Sequence, residues 1–186
     1  TDPEKKTKYP LVSEELIADV AILDAELVKT VPKTITADTG MDIITHAIEA
    51  FVSTGNSEFS DALAERAIKL CCRYLCRSYL NANDMEARGK IHVASCMAGM
   101  AFNGAGLGLC HAMSHALGGA FHLPHGRLNA ILLPSVVACN AHVAGGKYAR
   151  LARETGLGGS AESVAVRNLK NALVRLRREL HLPDTL

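Results

Sequence analysis

With 186 residues, 48% of them apolar and 21% charged, the chain can bury roughly 70% of its unfolded surface in one core, which excludes a disordered protein. Twenty Lys and Arg offset nineteen Asp and Glu, so no field of one sign is available to hold nucleic acid or an anionic membrane. Only 4% of the residues are aromatic; much of the apolar content is Ala, Leu, Ile and Val, which suits closely packed helices.

The opening, Thr1-Asp2-Pro3-Glu4-Lys5-Lys6, is polar and unlike a signal peptide. No apolar run reaches the ~20 residues of a membrane helix, so a soluble, cytoplasmic protein is expected. Val20-Ala21-Ile22-Leu23 reads as a short buried strand ended by Asp24, and Pro32 punctuates before the first long helix. A lone strand builds no sheet, so residues 1–32 read as an extended remnant of a larger unit and 33–186 as a helical domain. Thr36 or Thr39 caps a first helix running through Ala50. Ser60-Asp61 starts a second, with Leu63, Ala67, Leu70, Cys71 and Tyr74 on one face. Asn83 or Asp84 starts a third that ends near Phe102, before the glycine-rich break Asn103–Gly108. A fourth helix carries His111 and His115 to about Gly118-Gly119. A fifth segment spans roughly Arg127 to Asn140, and two more helices follow, separated by Gly156–Ser160. The class is all-α, a helical array without internal repeats. Arg175, Arg177 and Arg178 lie among apolar residues at helical spacing and read as a solvated face. Six cysteines form no CxxC pair, lie in apolar or helix-like surroundings, and are expected as buried free thiols. Cys72 and Cys76 are one turn apart but have no His or Cys pair to complete a metal site.

Two pairs carry the chemistry. Asp42 and His46 are four apart, and four residues turn an α-helix by about 400°, so both leave the same face. His111 and His115 repeat the spacing, and His125 follows a loop. A carboxylate and several imidazoles on facing helices are how a helical protein builds a divalent-metal site; oxygen-plus-nitrogen ligation suits Fe(II) or Zn(II). Eight histidines make such pairs common by chance, but four of them fall between 111 and 125, beside glycines that allow close approach. Spacing alone leaves His111 and His115 interchangeable. The Gly104–Gly108 cluster follows no strand and lacks GxGxxG spacing, so it reads as a tight turn rather than a phosphate loop.

The segment Thr36-Ala37-Asp38-Thr39-Gly40-Met41-Asp42-Ile43-Ile44-Thr45-His46-Ala47-Ile48-Glu49-Ala50 resembles the first signature of the iron-containing alcohol dehydrogenases. Gly106-Leu107-Gly108-Leu109-Cys110-His111-Ala112-Met113-Ser114-His115-Ala116-Leu117-Gly118-Gly119, followed by Pro124-His125-Gly126, is similar to the second. Ala94–Phe102, between them, also resembles the family, and the likeness runs over nearly the whole chain. The resemblance implies a dehydroquinate synthase-like helical domain, with Asp42, His46, His111 and His125 as metal ligands for Fe(II) or, alternatively, Zn(II). It implies that His115 lines the substrate and nicotinamide pocket without binding the metal, and that Lys8 lies near the cofactor's ribose. Glu49, one turn past His46, reads first as a helix-surface carboxylate and only second as support for the ligands. Asn103-Gly104, Ala116 and Leu128 depart from the family's usual residues; none removes a ligand, and the effect falls on pocket shape.

Family members are longer and carry a Gly-Gly-Gly-Ser phosphate loop in a Rossmann-like half that has no counterpart here. The implied activity is hydride transfer between a primary alcohol or its aldehyde and NAD or NADP, with the metal as Lewis acid and His115 relaying a proton or orienting substrate. The dinucleotide is expected mainly on the absent half, the intact enzyme is expected to be a homo-oligomer, and this piece alone is expected to be inactive. Two other classes fit a helical chain with histidines. One is a metal-dependent hydrolase, against which the lack of an adjacent His-Asp pair counts. The other is a non-catalytic module that binds no metal tightly and is indifferent to chelation.

Overall fold

The computed structural model describes residues 2 and 4–185; Thr1 and Leu186, the outer limits of the two ranges read from the sequence, lie outside them. Among the described residues there are six α-helices and no strand: α1 Lys33–Val52, α2 Glu58–Leu80, α3 Met85–Ala105, α4 Leu109–Phe121, α5 His125–Glu154 and α6 Glu162–Glu179. The chain is all-α, as its composition and periodicity predict.

The helix starts follow from local chemistry, and two differ from expectation. α1 begins three residues before Thr36, directly after Pro32, whose fixed φ of −61° suits a helix entry. The hydroxyls of Thr36 and Thr39 bond back to the carbonyls of Pro32 and Ile35 instead of capping. α2 is capped by Ser57, whose Oγ accepts from the Ser60 N–H while the Ser60 Oγ accepts from the Ser57 N–H; Ser60 is the far half of a capping box, not the start. Asp84 caps α3 as predicted, accepting from Ala87 N–H at 3.0 Å. α3 and α4 meet at 104° across Gly106–Gly108, and Gly106 sits at φ 81°, a conformation that disfavours side chains.

The expected break after Asn140 is absent. α5 runs 30 residues without interruption, although Pro134 lies inside it and leaves the Ala130 carbonyl without its helical donor. α5 is long and apolar enough to cross a membrane by length and composition; here it packs against α1, α4 and α6.

Val20–Leu23 is not a buried strand. Val20 and Ile22 are 76% and 80% exposed, and the segment leads into a 3-10 turn, Ala25–Val28, capped by Asp24. With no neighbouring strand its backbone has no ladder to join, so β-propensity does not act. Arg177 also departs from its expected place: it is 6% exposed, with its Nε unpartnered, while α6 lays Leu169 and Leu173 into the core. All six cysteines are free, but only Cys71 and Cys110 are buried; Cys72 and Cys139 lie on outward helix faces and are exposed.

α1 is the hub, in contact with α2, α3 and α5. Ala37, Met41, Ile44, Ile48 and Phe51, at steps of three or four along it, and Ala47 beside them are all 1% exposed or less. That burial fixes the rotation of α1 and so decides where its polar stripe, Asp42, His46 and Glu49, points.

Candidate metal centre

Three elements converge on one point. α1 supplies Asp42, His46 and Glu49; α4 supplies His111 and His115; the first two turns of α5 supply His125 and Asn129. Gly126 permits the approach, because its α-carbon lies against the backbone of α1: a Cβ there would stand 2.1 Å from the Asp38 carbonyl oxygen. The Arg127–Asp38 ion pair, at 3.1 Å, ties the same seam.

Among the described residues, one group of His, Cys, Asp or Glu ligand atoms is close enough to share an ion: Asp42, His111 and His125, all within 4.8 Å of one another. Asp42 Oδ1 lies 3.5 Å from Nε2 of His111 and 3.5 Å from Nε2 of His125. Ligands about 2.1 Å from a tetrahedral ion are spaced about 3.4 Å apart, close to the two Asp42–His distances; the Asn129 Nδ2 amide lies among the same atoms, 3.2 Å from each histidine Nε2. His46 stands beside this group, not within it. Its ring stacks on His111 at 4.4 Å and on Phe102 at 4.6 Å, with Nδ1 4.0 Å from Asp42 Oδ2. His115 meets His111 edge-on at 6.0 Å and is 5.0 Å from His125, outside the ligand group. The geometry thus separates two histidines that spacing leaves equivalent. Lys8 reaches the same region: its Nζ lies against Gly118 on α4, and its charge bears on both His115 and His125.

Electrostatics keep Asp42, His46 and His125 ready for a cation. Burial opposes ionisation of Asp42, but its hydrogen bond with His111 and the facing His46 and His125 outweigh it, leaving the carboxyl below its ordinary range. Burial, reinforced by His111 and His125, pushes His46 down to about 4 against the pull of Asp42, so its ring is neutral at neutral pH. Burial and the neighbouring cationic groups also lower His115 and His125. His111 moves the other way, because Asp42 and Glu49 together overcome its burial.

Two residues have roles the sequence reading does not give them. Glu49 is no surface carboxylate: it is 4% exposed, with Oε2 2.7 Å from His111 Nδ1. Asn129 is fully buried, donating from Nδ2 to Asp42 Oδ1 at 2.6 Å, while its Oδ1 accepts from Ser114 Oγ and Cys110 Sγ. The signal for both is in the spacing. Asn129 lies four residues after His125, repeating the step of the other two pairs, and Glu49 extends Asp42 and His46 to i, i+4, i+7.

A cavity of about 830 Å³ opens beside the centre, lined by His111 and His115 and by the apolar side chains of Met100, Phe102, Leu107 and Leu11. Residues 36–186 match the model of the Fe-containing alcohol dehydrogenase family, C-terminal. The chain belongs to that family. Over 186 residues it is 44% identical to the NADPH-dependent butanol dehydrogenase of Clostridium saccharobutylicum, covering all of this chain and 47% of that protein. Over 158 residues it is 55% identical to the 1-propanol dehydrogenase PduQ of Salmonella typhimurium, covering 84% of this chain and 43% of that one. The iron-containing alcohol dehydrogenase structure from Thermococcus thioreducens superposes with a TM-score of 0.85 at 41% identity, over 93% of this chain and 44% of its own. The chain therefore spans a little under half the length of these relatives.

Proposed function

We propose that this chain is the metal-holding half of an NAD(P)-dependent alcohol dehydrogenase that interconverts a primary alcohol and its aldehyde. The observation that carries the reading is the Asp42–His111–His125 group, whose ligand atoms lie within 4.8 Å of one another, in a helical domain that matches the family. Asp42, His111 and His125 would hold the ion, and His46, stacked on His111 beside that group, would have to turn toward it to serve as the fourth ligand; Fe(II) is the proposed occupant and Zn(II) the alternative. When bound, the ion supplies Lewis-acid polarisation of an alcohol or carbonyl oxygen, and a nicotinamide dinucleotide supplies the hydride acceptor or donor.

The chain's own residues do the rest. Met100, Phe102 and Leu107 give the cavity walls that exclude water from a short aliphatic substrate. His115, kept neutral by burial and by its cationic neighbours, can orient the substrate hydroxyl or accept its proton. Lys8, beside His115 and His125, is proposed to meet the cofactor's ribose. The division at residues 32 and 33, a cytoplasmic location and a homo-oligomeric intact enzyme belong to the same proposal. The sequence holds no nucleotide-binding loop, so these residues alone are expected to turn over no alcohol.

Metal content by plasma mass spectrometry tests the reading, using anaerobically purified wild type and the His111→Ala/His125→Ala double variant. Near-stoichiometric iron or zinc, lost in the variant, is the expected result. No uptake by the wild type even after reconstitution with Fe(II) would overturn it.

A further inference from the structure

The N-terminus of α4 has no cap of its own. Its first residue follows Gly108, which has no side chain to offer, so the N–H groups of the first turn lack local acceptors. A carboxylate from another helix fills that place. Glu49, on α1, accepts from the Cys110 N–H at 2.6 Å through Oε1, and through Oε2 from the N–H groups of Gly108 at 3.1 Å and His111 at 3.2 Å. The same Oε2 is 2.7 Å from Nδ1 of the His111 ring. Both side chains are almost wholly buried, at 4% and 3% exposure, so water competes for none of these bonds.

The geometry points to Glu49 as the positioning residue that turns His111 into a metal ligand, an inference that rests on the metal-centre reading above. A carboxylate at Nδ1 accepts that nitrogen's proton in a hydrogen bond, which fixes the tautomer and leaves the Nε2 lone pair facing Asp42 and His125. The negative charge also makes the imidazole a stronger donor toward a cation. His125 supplies the contrast within the same site. Its Nδ1 is buried without a partner, so nothing equivalent orients that ring. A simple capping role would engage only the backbone N–H groups of α4; the ring contact is shorter than two of the three backbone bonds. Because one carboxylate holds both, the first turn of α4 and the ligand ring are set together, and the Gly106–Gly108 wall of the cavity with them.

The test measures Zn(II) affinity by competition with a chelating dye for wild type, Glu49→Gln and Glu49→Ala, each in the 186-residue chain. The His111 ring N–H is observed by NMR on ¹⁵N-histidine-labelled, Zn(II)-loaded protein. Glu49→Ala is expected to bind Zn(II) about 10- to 100-fold more weakly. Glu49→Gln can still offer a carbonyl oxygen to Nδ1 and is expected to lie between the two, retaining a protected ring N–H that Glu49→Ala loses. Affinity of Glu49→Ala within twofold of wild type would overturn the inference and leave the metal centre standing. Equal weakening in both variants with the ring N–H unchanged would reduce Glu49 to a helix cap and also overturn it. No Zn(II) binding by wild type would overturn the metal-centre reading, and this inference with it.

Discussion

Gly126→Ala isolates the dependence of the site on backbone approach, since it leaves every proposed ligand in place. An added Cβ would stand 2.1 Å from the Asp38 carbonyl oxygen and 2.6 Å from its carbon, about 1.3 Å inside ordinary contact. The obstacle is backbone, so no side chain can rotate away; α1 and α5 must separate. His125 is the neighbour of Gly126 and Asp42 lies one turn beyond Asp38, so the separation passes almost undiminished into the Asp42–His125 spacing of 3.5 Å. Site geometry tolerates about 0.5 Å of error, so this strain exceeds what the centre can absorb. Overpacking of this kind costs about 1–3 kcal/mol in stability. Metal affinity is expected to fall at least about tenfold, a shift of about 1.4 kcal/mol. Calorimetric titration with Zn(II), together with thermal unfolding of the metal-free protein, measures both. Gly104→Ala is the control: a Cβ there meets nothing within 4 Å inside α3, so it is expected to stabilise by about 0.5 kcal/mol without changing affinity. Wild-type affinity and an unchanged midpoint in Gly126→Ala would refute the argument that this close approach sets the site.

Ser57→Ala removes the Ser57 Oγ half of the α2 capping box, leaving the backbone N–H of residue 57 on Ser60 Oγ, and is expected to cost about 1 kcal/mol by urea unfolding, with metal binding unchanged. Leu133→Ala, in the fully buried middle of α5, is expected to cost about 2–5 kcal/mol in the same assay; a loss below about 1 kcal/mol would mean the core there is not close-packed. For metal-free protein, His46 makes stability depend on pH. Its pKa falls from 6.5 unfolded to about 4 folded, so the unfolded chain binds more protons between those values and stability rises with pH across that window, by about 3 kcal/mol at most. His111 acts above the window, its raised pKa contributing stability at low pH that is lost as pH rises through the folded value. His46→Leu is expected to flatten the rise between pH 4 and 6.5, compared by urea unfolding at several pH values; an unaltered slope would show that His46 is not the group responsible.

Helical class, the order of the helices and the residues that could ligate a metal are legible in the sequence because each rests on a local rule. Apolar periodicity marks the helices in order, although it divides α5 after Asn140, and a step of four places Asp42 with His46 and His111 with His115 on common faces. The likeness to a known family adds a ligand set that spacing alone cannot choose. Local rules fail where a long-range contact decides. Val20–Leu23 has strand composition but no partner strand, and Pro134 sits within a helix that packing on α1, α4 and α6 holds together. Arg177 has the spacing of a solvated face yet is buried where α6 meets its neighbours.

The sequence by itself determined which residues share a helix face, because helical geometry is a property of the chain over a few residues. Which faces meet was decided only in the tertiary structure. The rotation of α1, set by Met41, Ile44, Ile48 and Phe51 in the core, and the close passage of Gly126 bring three separate stripes to one point. That convergence separates His111 from His115, takes Glu49 off the surface to hold the first of them, and brings Asn129 against Asp42. Hydrogen-bond partners such as Asn129 and Asp42 lie 87 positions apart, and a single helix carries no record of them.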